Sequence, residues 1–266
     1  MDFMKICEIN DDFIRNEELY KFFDEEKRLL GKSGQVEKIT TLREIKKFIH
    51  KESKVLDVGA ATGVYTIPLA KEVKEVVAFE PSINNYQQLV KKIEKEHLLN
   101  VTAVNKSSLE FDDLKNGCFD IVLLFGPMYH LSSEKDRNCT LQEAKRVVKE
   151  DGYIFIAFIN HDMIPMTETV YDFNFFESKG YNYQTQRLVN RPFIFFTLSE
   201  CQKMLEKAGF KIEKKIASSG FSELLKDKIN EMSETAYNRY LDWHLSHCDK
   251  EELLGASNHF LFTCKK

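Results

Sequence analysis

The sequence predicts an α/β fold in which a doubly wound, mostly parallel sheet carries helices on both faces and ends in an antiparallel strand. Three observations carry that expectation. Strand-like and helix-like apolar patterns alternate from Lys54 to Ala217, the signature of parallel strands joined by crossover helices. The run Phe119 to Phe125, FDIVLLF, is nearly continuous in apolar residues, as a central strand covered on both faces must be. One short apolar segment, Ser257 to Cys264, follows the alternation and supplies the antiparallel strand. With 266 residues the chain can form one large core with an appended cap, and is too short for two independent full-sized domains.

Residues 1–51 read as an N-terminal helical cap and 52–266 as the main domain. Phe13, Leu19, Tyr20, Phe22, Phe23, Leu29 and Leu30 are spaced for a helix from Asp12 to Leu30 that stops at Gly31. Ile39, Leu42, Ile45, Phe48 and Ile49 share one face of a second helix from Gln35 to Lys51. Gly31-Lys32-Ser33 ends like a phosphate loop, but the glycine needed five residues before Gly31 is Glu26. In the main domain, Val55 to Ala70 reads as strand, tight loop and helix, with the helix running from Val64 to Lys74. A strand from Glu75 to Glu80 leads to a helix opened by Ser82, and Val101 to Val104 forms the third strand. After FDIVLLF come a helix from Glu134 to Lys149, a turn at Asp151-Gly152 and a strand from Tyr153 to Ile159.

Two segments interrupt the alternation. Residues 160–196 are rich in aromatics, including Tyr171, Phe173, Phe175, Phe176, Tyr181 and Tyr183. A connection this long inside a compact domain is usually functional, so it reads as a lid over a substrate. Thr197-Leu198-Ser199-Glu200 is a capping box for a helix ending at Gly209, before the strand Phe210 to Ala217. Residues 218–255 form a second, helical insertion.

Composition narrows the partners. A formal net charge of -4 gives no overall electrostatic footprint for nucleic acid or anionic membrane. No apolar run reaches the roughly 20 residues of a transmembrane helix, and the start, MDFMKICEINDDF, lacks the regions of a signal peptide. The expectation is a cytoplasmic protein. Six scattered cysteines with no C-x-x-C pair indicate reduced thiols rather than disulfides or a zinc knuckle.

The stretch that carries chemistry is VLDVGAATGVYTIPLA, Val55 to Ala70. Asp57 stands near the end of its strand, Gly59 and Gly63 bracket the turn, and the first amides of the next helix point back at whatever the turn holds. The following strand ends in Glu80, where an acid accepts hydrogen bonds from both hydroxyls of a ribose. A nucleoside-containing cofactor is expected. Asp57-Val58-Gly59-Ala60-Ala61-Thr62-Gly63 followed by Glu80 resembles the glycine-rich motif and ribose acid of class I S-adenosylmethionine (SAM) dependent methyltransferases. The family pattern has glycine where this chain has Ala61, which narrows the loop and counts against a dinucleotide, whose pyrophosphate needs bare backbone there.

The resemblance implies a Rossmann-like, seven-stranded sheet and SAM as cofactor, held by Asp57, Gly59, Ala60, Ala61, Gly63, Glu80, Pro81 and Phe125. Ser107 lies where the family often has an acid for the adenine amino group, and the Ser108 amide is placed for the ring nitrogen; an ordinary polar turn is the alternative. Tyr20 is the cap residue placed to reach the cofactor, or else it is core.

The chemistry is expected at Gly126-Pro127-Met128-Tyr129-His130-Leu131, beyond the carboxyl end of the fourth strand, where open α/β sheets bind ligands. His130 is the candidate base and Tyr129 the candidate for orienting an acceptor; the plainer role for His130 is to brace the loop. His244, His247 and Cys248 have a spacing that permits a metal, but no fourth ligand joins them, and no metal is expected. His259 is a candidate for a substrate pocket beside the Trp243 helix, and Arg187 and Arg191 for an anion clamp, with solvated charges the plainer reading. Together these features predict transfer of a methyl group to oxygen or nitrogen of a small molecule. The alternatives are an RNA methyltransferase and a non-catalytic SAM-binding module. Gly126-Pro127-Met128-Tyr129 offers no side-chain acceptor for a base amine, and no basic run is present. The sequence leaves the oligomeric state open.

Overall fold

The computed structural model describes residues 3–23, 25–189 and 192–266. Helices α1 (Phe3–Cys7), α2 (Asp12–Leu19), α3 (Glu25–Arg28) and α4 (Lys32–Ile45) precede the sheet. The first half of the sheet domain comprises β1 (Lys54–Val58), α5 (Thr66–Ala70), β2 (Glu75–Phe79), α6 (Ile83–Lys95), β3 (Val101–Val104) and β4 (Phe119–Leu124). Then follow α7 (Pro127–His130), α8 (Glu134–Val147), β5 (Val148–Asn160), α9 (Ile164–Tyr171), β6 (Tyr181–Asn182), β7 (Arg187–Leu188), β8 (Phe195–Phe196), α10 (Leu198–Lys207) and β9 (Lys211–Ala217). The chain closes with α11 (Lys226–Asn230), α12 (Glu234–His247), α13 (Glu251–Leu254) and β10 (His259–Lys265).

The main sheet runs β3-β2-β1-β4-β5-β10-β9, with the short β8 added against the end of β5. Strands β1 to β5 pair in parallel, and β10 lies antiparallel between β5 and β9. This is the mostly parallel, Rossmann-like sheet the alternation predicts. Leu56, Val58, Val122, Leu124, Ile154, Ile156 and Phe262 bury one face of it, and Val55, Ile121, Leu123, Phe155 and Leu261 the other. The order reverses between β1 and β4, so the loops after those two strands diverge and leave a crevice at their carboxyl ends.

Several element boundaries differ from the sequence expectation; the helix expected from Val64 to Lys74, for one, spans only Thr66–Ala70. The helix expected from Asp12 to Leu30 breaks after Leu19: Asp11 caps its start by accepting from the Phe13 and Ile14 amides, and Tyr20 closes it, so the apolar spacing belongs to two short helices. The second cap helix starts at Lys32, with Gly31 as its N-cap, and ends at Ile45. The turn expected at Asp151-Gly152 is an irregularity inside the 13-residue strand β5, whose pairing with β4 shifts register between Phe119 and Ile121. The capping box at Thr197 and Glu200 forms with both of its hydrogen bonds.

Candidate active site

The loop from Gly59 to Gly63 is shaped by backbone geometry. Gly59 (φ +84°) and Gly63 (φ +89°) lie in the left-handed region, and a Cβ on Gly63 would sit 2.7 Å from Leu89 Cδ1. Ala61 also adopts a left-handed backbone, φ +47°, so the extra methyl leaves the turn intact at a local cost of about 1–2 kcal/mol. That conformation aims the Ala61 amide at Glu80 Oε2, 2.7 Å away. The other carboxylate oxygen accepts from the Ser82 amide at 2.8 Å. Glu80 is only 4% exposed, and burial pushes its carboxyl up to about 7 despite these two bonds. Asp57 lies beneath the loop, fully buried and raised to about 6 by that burial; its Oδ2 accepts from Thr66 Oγ1 at 2.6 Å. Its Oδ1 has no hydrogen-bond partner among the described residues.

A cavity of about 860 Å³ opens on this loop, near the upper end of the roughly 300–1,000 Å³ typical of ligand sites. Gly59, Ala60, Ala61, Glu80, Pro81, Ser108, Phe125, Tyr129, His130 and Tyr20 line it. Asp57 and Gly63 shape the loop from outside the lining. Ser107 is also outside it: its amide donates to Glu110 Oε2 and its hydroxyl accepts from the Leu109 amide. Tyr65, which the sequence reading passed over, lines the cavity with its ring edge-on to Phe125 at 4.9 Å.

His130 sits at a knot of three chain segments. Its Nε2 is 2.8 Å from the Tyr20 hydroxyl, and its carbonyl accepts from Arg15, a fully buried guanidinium that also bonds the Ile9 carbonyl and pairs with Asp12. Asp12 in turn accepts from the Ser132 amide. Phe193, from the first insertion, packs against the rings of His130, Tyr129 and Phe23. Burial first, and then the Arg15 charge, press the His130 imidazole down to about 3. Its Nδ1 has no hydrogen-bond partner among the described residues. The Tyr129 hydroxyl donates to the Phe125 carbonyl.

The rest of the lining comes from distant parts of the chain. Arg28 Nη1 lies 2.8 Å from Glu37 Oε2 and 3.3 Å from Glu223 Oε1. His259 Nδ1 stands 2.9 Å from Glu223 and 3.4 Å from Glu37. Among the described residues, Glu37, Glu223 and His259 are the three potential metal ligands that converge. Arg28 already lies across both carboxylates, and those carboxylates hold the imidazole above its ordinary value against the effect of burial. A metal needs that imidazole neutral and the guanidinium elsewhere. The cluster therefore has the chemistry of an ion-pair network. His244 and His247 do not converge: His244 Nε2 meets Thr40 Oγ1 at 3.1 Å, and His247 stacks on Trp243. Arg187 pairs with Glu200 outside the cavity lining, and Arg191 lies outside the described residues.

Residues 55–152 match a family model described as a methyltransferase domain. The chain therefore carries a methyltransferase domain over those residues. A glycine/sarcosine N-methyltransferase of Aphanothece halophytica is 31% identical over 131 residues, 47% of this chain and 46% of that protein. An uncharacterized methyltransferase of Schizosaccharomyces pombe is 30% identical over 115 residues, 41% of this chain and 40% of that protein. The chain thus spans less than half the length of these curated relatives. A Thermotoga maritima structure described as a SAM-dependent methyltransferase, possible histamine N-methyltransferase, superposes with TM-score 0.60 at 18% identity, covering 96% of this chain and 100% of that one. The [4+2]-cyclase SpnF superposes with TM-score 0.57 at 15% identity, covering 86% and 81%. Both likenesses concern the fold, which hosts more than one chemistry.

The residues of the methyltransferase domain fit the cofactor its family implies. Glu80 is a buried carboxylate on the cavity wall whose two oxygens each retain a lone pair after their backbone bonds, the pair of acceptors that paired ribose hydroxyls need. The rings of Tyr65 and Phe125 give apolar contact, and the Gly59–Ala61 backbone lines the same wall without side-chain bulk beyond a methyl.

Proposed function

We propose that the protein is a SAM-dependent methyltransferase acting on oxygen or nitrogen of a small-molecule acceptor. The observation that carries this reading is the continuity of one cavity from the Glu80 loop to a wall of charged side chains, giving a second ligand a place beside the cofactor. When bound, SAM supplies a methyl group activated by a sulfonium. The chain's own residues have three tasks: Glu80 holds the ribose hydroxyls while the Gly59–Ala61 backbone lines the methionine end, Tyr65 and Phe125 pack beside the cofactor, and the Tyr20–His130–Phe193 knot keeps water from the reacting atoms.

An imidazole pressed to about 3 is a poor proton acceptor near neutrality. Its Nε2 is already engaged by Tyr20. In this reading His130 is a positioning residue that fixes Tyr20 and the turn carrying Tyr129, and an acceptor proton leaves to solvent or to an acceptor-side group. The net charge of -4 favours a small acceptor over RNA. The six free cysteines, and the lack among the described residues of any helix long and apolar enough to cross a membrane, agree with a cytoplasmic enzyme.

Incubation with methyl-labelled SAM, a small-molecule extract and total RNA tests the proposal. Label in a small molecule is the expected result. Label in RNA would move the assignment to the alternative acceptor, and tight SAM binding with no labelled product would make the chain a non-catalytic module.

A further inference from the structure

The acceptor side of the cavity holds one half-buried acid that its ion pairs leave unmatched. Away from Glu80, the acids Glu17, Glu37, Glu168 and Glu223 line the cavity with Lys27, Arg28, Lys226 and His259. Arg28 and His259 are consumed by Glu37 and Glu223, which they bridge. Glu168, on α9 of the first insertion, is half-buried in the lining, and its carboxylate has no hydrogen-bond or ion-pair partner among the described residues. Lys226 is exposed and pairs with neither Glu168 nor Glu223. Burial, and then the neighbouring Glu223 charge, hold the Glu168 carboxyl above its ordinary value. Tyr171, one turn along the same helix, also lines the cavity, and its phenol is raised by burial and by the charges of Asp227, Glu223 and Glu168. An unpartnered carboxylate and an aromatic ring one helical turn away in the same cavity lining together complement a nitrogen cation.

We propose that the acceptor is a small molecule carrying an ammonium group, and that the carboxylate of Glu168 anchors that ammonium. The proposal rests on the methyltransferase reading. An ammonium has no lone pair, so the anchored nitrogen is not the methylated atom. The methyl goes instead to a second nucleophilic atom, an amine or hydroxyl, of the same molecule. There the S–CH3 bond breaks as the new N–CH3 or O–CH3 bond forms, the sulfur keeps the electron pair of the broken bond, and the acceptor atom releases its proton to water. Glu37, Arg28, Glu223 and His259 form the closed network against which this cation packs, and Glu168 supplies the unmatched charge.

The test is calorimetry on the full chain saturated with S-adenosylhomocysteine (SAH), using 1,4-diaminobutane, 4-aminobutan-1-ol and butane-1,4-diol as probes of equal length and falling charge. Both amines are expected to bind, with the diol at least about tenfold weaker. Glu168→Gln should weaken both amines by about tenfold while leaving SAH affinity and melting temperature unchanged. Equal affinity for amines and diol, no amine binding to the SAH-loaded chain, or unchanged amine affinity in Glu168→Gln would each overturn the inference and leave the methyltransferase reading standing. Failure of the wild-type chain to bind SAH would overturn both.

Discussion

The two parts of the cavity are built by different means. The part we assign to the cofactor comes from loops at the carboxyl edge of the parallel sheet, where Gly59–Gly63, Glu80 and Phe125 follow strands paired on both sides. The part we assign to the acceptor comes mostly from helices and insertions laid over that edge: Arg28 and Glu37 from the N-terminal helices, Glu168 from one insertion, Glu223 from the other, and His259 from the start of β10. The first part is held by backbone hydrogen bonds and core packing, the second by side chains meeting across long sequence separations. The sheet edge can therefore keep one cofactor while the covering segments change the acceptor, and substitutions in the two parts should be separable.

The largest separable effect is expected at the joint between the parts. His130→Ala removes the partner of the Tyr20 hydroxyl and loosens the turn carrying Tyr129; turnover should fall about 100-fold with SAM affinity nearly unchanged. Tyr20→Phe should produce a comparable loss, and the double variant little more, because both remove the same contact. Additive losses in steady-state kinetics would show that His130 acts independently of Tyr20, as a base would.

A smaller effect isolates the acceptor part. Gly34 packs so closely on the preceding segment that a Cβ would lie 2.2 Å from the Arg28 carbonyl oxygen and 2.7 Å from Leu29 Cα. Gly34→Ala should cost about 1–3 kcal/mol in thermal or urea unfolding and shift Arg28 away from Glu37 and Glu223, with SAM affinity held within about twofold. Equal damage to SAM binding would mean that the two parts are mechanically coupled.

The smallest effect is a pH dependence of the cofactor part. Glu80 is raised to about 7, so between about pH 8 and pH 6 it takes up a proton and loses acceptor strength toward ribose. SAM affinity should fall by roughly tenfold over that interval. The stability of the free protein should move the other way: a carboxyl raised on folding contributes stability below its unfolded pKa, and that contribution is lost as pH rises through about 7. Glu80→Gln should flatten both trends, and persistence of either would point to another group.

How much of the site was legible follows the same division. The Gly59–Gly63 turn and Glu80 are separated by one helix, and their spacing follows from strand-loop-helix geometry, so a local pattern identifies them. Arg28, Glu37, Glu168 and Glu223 meet only because the insertions fold back over the sheet, and each alone looks like an ordinary solvated helix charge. No period or motif encodes that meeting. Tyr20 was legible as a residue aimed at the cavity while its helix was drawn too long, because the apolar spacing of α2 continues past Leu19 into residues that turn and restart. His130 was legible in place but not in chemical state, since its low pKa comes from burial beneath Phe193 and beside Arg15, both remote in sequence. Ala61 looked like a departure from the glycine pattern, yet its left-handed backbone gives the turn the same course.

The central claim is that the sheet-edge loop, through Glu80, holds SAM. Calorimetric titration of SAM into the wild-type chain and into Glu80→Ala tests it most directly. One-to-one binding by the wild type, weakened at least about tenfold in Glu80→Ala through loss of hydrogen bonds to a charged acceptor, is the predicted result. No binding by the wild type, or the same dissociation constant in both proteins, would contradict it.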